Sequence, residues 1–352
     1  MAGKVSHITL SGNDKISLIT NLSTMLKSGI PIIEVVDSLL EDAKGSQRKI
    51  LENLRTDLMQ GKRIYQSLSN FPDAFDPVTV SLIKASEESG NLETTLADLR
   101  VHIQKDMEFS DKIKGALIYP VVIMVVFAGV MLIILIFVIP KISVVFKSLH
   151  VSLPLPTQIM ITVSDLIIKK TWYVVSGVLM TLSIAFYLIK RQRQLLVNLV
   201  TSLPVVSELV RQIDLTRFSR NLYLLLSTGL PITTALELSQ DVVVRRKTAL
   251  LIKKCKEMIM SGKRFSDGLK STPGVIPSIM VRLIEAGEKS GTLDKSLLDI
   301  SEFLDYQVSL ALKNLTALLE PVLLLFVAVG VGGMMVSIIA PIYGLISQIG
   351  GH

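Results

Sequence analysis

Apolar positions recur every three or four residues through the first hundred residues. Ile16, Ile19, Leu22 and Leu26 form one set; Ile32, Val35, Val36 and Leu39 the next; Leu51, Leu54 and Leu58 a third. This is the spacing of one face of an amphipathic helix. The punctuation between the sets predicts where each helix stops. Asp14 reads as an N-cap for the first. Gly29 ends that helix and Pro31 opens the next, because glycine tolerates left-handed backbone and proline pre-sets φ for a first helical turn. Gly45-Ser46 breaks the second pattern, and Gly61-Lys62-Arg63 ends the third. A short turn from Tyr65 to Leu68 follows, then a fifth helix ending at Ser89-Gly90 and a sixth from about Leu92. There is no sustained period-two alternation, so the expected class is all-α.

The pattern then changes character. Between Gly115 and Pro140 there is no charged residue. A helix apolar on every face for so long suits a bilayer core, which needs about 20 such residues. A second uncharged run opens at Glu320-Pro321 and closes with Pro341-Ile342-Tyr343. Pro120 to Pro321 is a shift of 201 residues, as is Pro140 to Pro341. The polar part repeats too. Gly229-Leu230-Pro231 matches Gly29-Ile30-Pro31 at a shift of 200, and Gly262-Lys263-Arg264 matches Gly61-Lys62-Arg63 at 201. Glu288-Lys289-Ser290-Gly291-Thr292-Leu293 matches Glu87-Glu88-Ser89-Gly90-Asn91-Leu92, again at 201. Several punctuators in one order define an internal duplication.

A third uncharged run, Thr171 to Ile189, begins with Trp172 and Tyr173 and is followed by Lys190, Arg191 and Arg193. An aromatic belt and a basic stop mark a span of sufficient length; the competing reading is an interfacial helix. Duplicated domains on one side of the membrane require an even number of crossings between them, which favours the span. The expected fold is therefore an all-α integral membrane protein with two duplicated cytoplasmic six-helix bundles and three transmembrane helices. Its parts are a tail (1–14), a first bundle (15–115), span one (116–140) and an external loop (141–170) with a short interfacial helix. Span two (171–190), a second bundle (191–318), span three (319–346) and an external tail (347–352) complete it.

Composition agrees with this partition. About half of the 352 residues are apolar, and mean hydropathy is +0.53. The formal net charge of +7 sits mainly in the second polar part, where anionic lipid and the positive-inside bias account for it. No basic run is interleaved with aromatics, so nucleic acid is not an expected partner. Cys255 is the only cysteine, which excludes an intrachain disulfide and suits a reducing compartment. Met1 to Asn13 is polar and lacks the apolar core of a signal peptide, so targeting is expected from the internal spans.

Familiar chemistry-bearing motifs are absent from the sequence. Gly61-Lys62 lacks the upstream glycine and following hydroxyl of a phosphate loop. His7, His102, His150 and His352 are scattered, and no HExxH or Gly-x-Ser-x-Gly occurs. The two repeated apolar runs carry no ionisable residue at depth, which disfavours an ion or proton pathway. Neither an enzyme nor a cofactor or metal site is expected.

The doubled motifs Leu26-x-x-Gly29-Ile30-Pro31 and Leu226-x-x-Gly229-Leu230-Pro231, with Glu87-x-x-Gly90-x-Leu92 and Glu288-x-x-Gly291-x-Leu293, resemble one family. So do Tyr119-Pro120, Glu320-Pro321 and Pro341-Ile342-Tyr343. The likeness is to the inner-membrane platform proteins of type II secretion and type IV pilus machines (the GspF/PilC family), over roughly residues 15 to 345. Many members carry a further segment ahead of the first bundle, where about 14 residues are expected here.

The resemblance implies a non-enzymatic hub in the bacterial inner membrane with its N-terminus cytoplasmic. Implied partners are a hexameric secretion or pilus ATPase on the cytoplasmic side, pilin or pseudopilin transmembrane helices, other inner-membrane assembly proteins, and further copies as a dimer or higher homo-oligomer. A membrane receptor or signalling scaffold shares the architecture, and a transporter is a more distant alternative. Candidate interaction residues are Gly29, Pro31, Glu87, Gly90 and their repeats Gly229, Pro231, Glu288, Gly291. The two glutamates are expected either to brace the turn between helices five and six, through backbone N–H groups near Asn91 and Thr292, or to meet an assembly partner. Gly333, Ser337, Ala340 and Gly344 form a small-residue stripe expected to pack on another span, within one chain or between copies.

Overall fold

A computed structural model describes residues 8–148, 155–173, 176–177, 179–181, 183 and 204–349. Among these every regular element is helical, without a strand. The first half holds α1 (Gly12–Lys27), α2 (Ile32–Asp42), α3 (Gly45–Met59), α4 (Ile64–Leu68), α5 (Pro77–Ser89) and α6 (Leu92–Ile133). A π-helical turn, Ile134–Val138, links α6 to α7 (Ile139–Ser148), and α8 (Leu155–Lys169) follows. The second half repeats the order with α9 (Pro204–Ser227), α10 (Ile232–Gln240), α11 (Arg246–Met260), α12 (Phe265–Lys270), α13 (Ser278–Ser290) and α14 (Leu293–Ile349). Of span two, residues 171–173, 176–177, 179–181 and 183 are helical; its remainder and its basic stop lie outside the described residues.

The chain divides into two compact units. One joins Met1–Lys112 with Thr201–Ser309; the other joins Ile113–Val200 with Leu310–His352. The polar parts of both halves thus share one unit, and the apolar parts share the other.

In the first unit, burial follows the sequence pattern. Leu18, Ile19, Leu22, Val35, Val36, Ile50, Leu51 and Leu54 form one core with Phe75 and Leu82. Their counterparts Phe218, Leu222, Ala235, Leu236, Leu251, Ile252 and Cys255 continue it. The α1 cap is Ser11 and not Asp14: the Ser11 hydroxyl accepts from Asp14 N at 3.2 Å and donates to the Asp14 carboxylate at 2.7 Å. Gly45 begins α3 at φ +56 where a pattern break was expected. Gly29, Gly90, Gly229 and Gly291 all have positive φ, and Pro31 and Pro231 each stand immediately before a helix as its N-cap.

In the second unit the apolar helices show their side chains outward. Leu92–Val145 and Leu293–Ile339 contain windows of mean hydropathy 3.4 and 2.7. Val121, Val125 and Phe137 on the first, and Val322, Leu325 and Val329 on the second, are exposed. That is the pattern of a protein whose solvent there is lipid. Pro140 does not end its helix: the chain passes through the π turn and runs on to Ser148.

Candidate functional site

The two glutamates of the repeated motif point at an element that the sequence pattern did not assign them. The Glu87 carboxylate accepts from Ile64 N at 2.8 Å and Tyr65 N at 2.9 Å, the first turn of α4. Glu288 accepts from Phe265 N at 2.7 Å and Ser266 N at 3.0 Å, the first turn of α12. Each caps the short helix after Gly-Lys-Arg, so bracing of the turn between helices five and six is corrected to bracing between helices four and five. A helix of five or six residues has too few internal bonds to hold itself, and its orphan N–H groups need an external acceptor. Gly61 and Gly90 frame the first of these caps, and Gly262 and Gly291 the second, at φ between +73 and +78. Behind α13, Glu285 bonds Lys270 and Lys289, which hold its carboxyl down to about 2.

A second constellation joins the halves. Arg220 on α9, 7% exposed, donates to the Asp106 carboxylate at 3.0 Å and the Lys105 carbonyl at 3.3 Å. Its guanidinium lies 5.3 Å from the Phe109 ring centre. His102 Nε2 stands 3.5 Å from the same carboxylate. Burial holds the imidazole pKa below its ordinary value, with Asp106 opposing and Arg220 reinforcing the shift. Beside them is a cavity of about 160 Å³ lined by Asp98, His102, Lys105, Tyr223, Leu298 and Ser301. Asp98 is shifted upward by burial. On α9, Asp214 accepts from Val244 N and Arg245 N at 2.9 and 2.8 Å, steadying the entry to α11.

A third lies in the apolar unit. Pro140 has no N–H, so in the i→i−5 register set by Ile139 N→Ile134 O the carbonyl it leaves free is that of Leu135. The Ser164 hydroxyl donates to that carbonyl at 2.5 Å. Pro341 leaves the Ser337 carbonyl free at i−4 in α14, and Thr157 donates to it at 2.6 Å. Thr157, Ile161 and Ser164 are buried along one side of α8, while Ile159, Val163 and Leu166 are exposed on the other. This one helix therefore satisfies both proline-freed carbonyls.

Of the small-residue stripe, Ser337 meets α8, whereas Gly333 faces open space; the side chains at 340 and 344 lie outside the described set. The close approach falls at Gly330, where an added Cβ would stand 2.5 Å from Phe127. Phe127 and Phe326 meet edge to face with ring centres 5.3 Å apart. Among the described residues no group of three His, Cys, Asp or Glu is placed to hold a metal. Cys255 is buried and its thiol pushed up to about 12, which removes it as a nucleophile.

What these features define is a membrane protein, helical in every regular element among its described residues, in which recurrent carboxylate caps hold short helices and the two halves are cross-linked by buried polar contacts. Residues 18–140 and 218–341 match the family described as type II secretion system (T2SS), protein F, and the chain belongs to that family. It is 29% identical over 344 residues to the type IV pilus assembly protein PilC of Myxococcus xanthus, covering 97% of this chain and 82% of that protein. It is 30% identical over 336 residues to the protein of that name from Thermus thermophilus, covering 93% and 81%. The type II secretion system protein F of Pseudomonas aeruginosa is 27% identical over 351 residues, covering 97% and 85%.

Proposed function

We propose that this chain is a non-enzymatic inner-membrane platform of a type II secretion or type IV pilus machine. In this reading it couples a hexameric cytoplasmic ATPase to insertion of pilin or pseudopilin subunits into a growing filament. Two duplicated six-helix bundles lie in the cytoplasm, three helices cross the membrane, and 141–170 is external. One observation carries the mechanical part: α6 runs 42 residues and α14 57 residues without interruption, each from a polar, core-packed stretch into an apolar one. An unbroken helix rises about 1.5 Å per residue and passes displacement along its axis. Family membership and the relatives named for pilus assembly and secretion support the setting.

The test has two arms. Tagged full-length chain should co-purify from membranes with a secretion-type ATPase, and its deletion should abolish surface filaments or secretion; retention of both outputs would end the reading. Ser69→Cys and Ser152→Cys test the topology in intact cells. Only the latter should react with an impermeant thiol reagent, and labelling at position 69 refutes the two-bundles-inside arrangement.

A further inference from the structure

The duplicated halves do not use equivalent surfaces alike, and the difference leaves one face uncovered. On α5, Thr79, Ile83 and Ser86 are buried; their counterparts on α13, Met280, Ile284 and Gly287, are buried too. The adjoining positions differ. Val78 and Leu82 are 5% and 0% exposed, whereas Ile279 and Leu283, at a shift of 201, are 49% and 37% exposed. The cause is that α5 packs on α9 and α10 of the second half. The next helix shows the same break. Lys105 and Asp106 receive Arg220 and His102 is buried beside them. The counterparts of His102 and Lys105 are Phe303 and Tyr306, 47% and 61% exposed.

The matching half of this contact is also open. The internal interface is completed by Arg220 and Leu224 on α9, both buried. At a shift of 200 these correspond to Thr20, half-buried, and Thr24, exposed, on α1. The volumes compensate. Where the internal contact sets Leu224 and His102 on one cavity and Arg220 on the Lys105 carbonyl, the corresponding positions of the open faces are Thr24 with Phe303 and Thr20 with Tyr306. A small residue stands opposite each large ring, the exchange that packing tolerates best.

We infer that a second copy of this chain docks head-to-tail, its α1–α2 face on the α13–α14 face made by Ile279, Leu283, Phe303 and Tyr306. The contact repeats between chains the packing that α5–α6 and α9–α10 make within one. It is heterologous, so each chain presents one donor and one acceptor face. The inference goes beyond the platform reading and does not depend on it.

The experiment uses the full-length chain in its own membranes. Cys255 is fully buried and gives little background. Two differently tagged chains are co-expressed, one with Thr20→Cys and the other with Tyr306→Cys, and treated with a short bismaleimide. A mixed-tag dimer is expected, and a ladder when both substitutions sit on one chain. Cross-linking between two Tyr306→Cys chains only, capture of a different protein at that position, or no cross-link overturns the proposal. Leu283→Ser with Phe303→Ser alters exposed side chains. It should leave the melting temperature within a degree or two of wild type while cutting cross-tag co-purification at least five-fold; unchanged co-purification also overturns the proposal.

Discussion

Replacing Glu288 or Glu87 by Gln tests whether the repeated motif is a brace. The substitution keeps the length of the side chain and turns one carboxylate oxygen into an amide NH₂. One of the two backbone N–H groups at the start of α12, Phe265 or Ser266, then faces a donor. A hydrogen bond to a charged group contributes roughly 1.5–3 kcal/mol, and a donor left unmet at a part-buried site loses that and more. About 2 kcal/mol per variant is the working figure. For a unit of 150–250 residues each kcal/mol moves the midpoint about 2–4 °C, so each single variant should melt roughly 4–8 °C below wild type. The two caps share no partner, so the double variant should show nearly the sum. Glu88→Gln is the control. Its contact with Arg63 is 3.8 Å long and both side chains are half exposed, so it should move stability by less than about 1 kcal/mol. The assay is thermal unfolding of purified full-length protein in mild detergent, alongside filament or secretion output normalised to protein level. Wild-type melting in both Gln variants would refute the brace, and wild-type melting with lost output would assign the glutamates to a partner instead.

Three further outcomes follow from the geometry. Ser164→Ala and Thr157→Ala each strand a proline-freed carbonyl in an apolar layer and should lose about 0.6–1.7 kcal/mol, read as lower detergent-resistant yield and melting temperature; Thr162→Ala, whose hydroxyl only returns to the Gln158 carbonyl of its own helix, should not. His102, faced by Asp106, Arg220 and Asp76, titrates below its ordinary 6.5. As pH falls through that value the unfolded chain binds a proton that the folded chain refuses, so stability falls on acidification, and His102→Asn should flatten the melting-temperature profile between pH 7 and 5. Cys255, buried and shifted to about 12, should resist maleimide in the folded protein at pH 8 and react fully in denaturant; rapid labelling of native protein would contradict the packing of α11 against α12.

The sequence foretold what short-range stereochemistry decides. Gly29-x-Pro31 and Gly90 mark helix ends because positive φ and a fixed φ leave few alternatives, and the structure places them there in both halves. The buried Leu51, Leu54, Val35 and Val36 follow from period alone. Other features depended on partners far along the chain. Glu87 reaches back 22 and 23 residues to α4, and nothing local distinguishes that from capping the adjacent turn. The fixed separation between Gly-Lys-Arg and Glu-x-x-Gly, alike in both halves, was the available signal. Ser11-x-x-Asp14 is a readable capping box, and weighing Asp14 alone misplaced the cap by one turn. The Arg220–Asp106 contact was illegible because it breaks the repeat: its counterparts are Thr20 and Gln307. Of the small-residue stripe, Ser337 receives Thr157 of α8 while Gly333 is open within this chain; the close approach at Gly330 on Phe127 lies outside the stripe and was not marked by its spacing.

The prolines near the ends of the apolar helices bear on stiffness. A straight helix resists bending because its ladder must stretch on the outer side. At Pro140 and Pro341 that rung does not exist, so the backbone can flex there without breaking a bond of its own. What resists instead is a single hydroxyl from α8 at each place, Ser164 on one and Thr157 on the other. The compliance of both helices at these points is thereby lodged in a third element lying between the repeats. The setting of both joints is thus held from outside the helices that carry them, by two hydroxyls about two turns apart on the same face of α8.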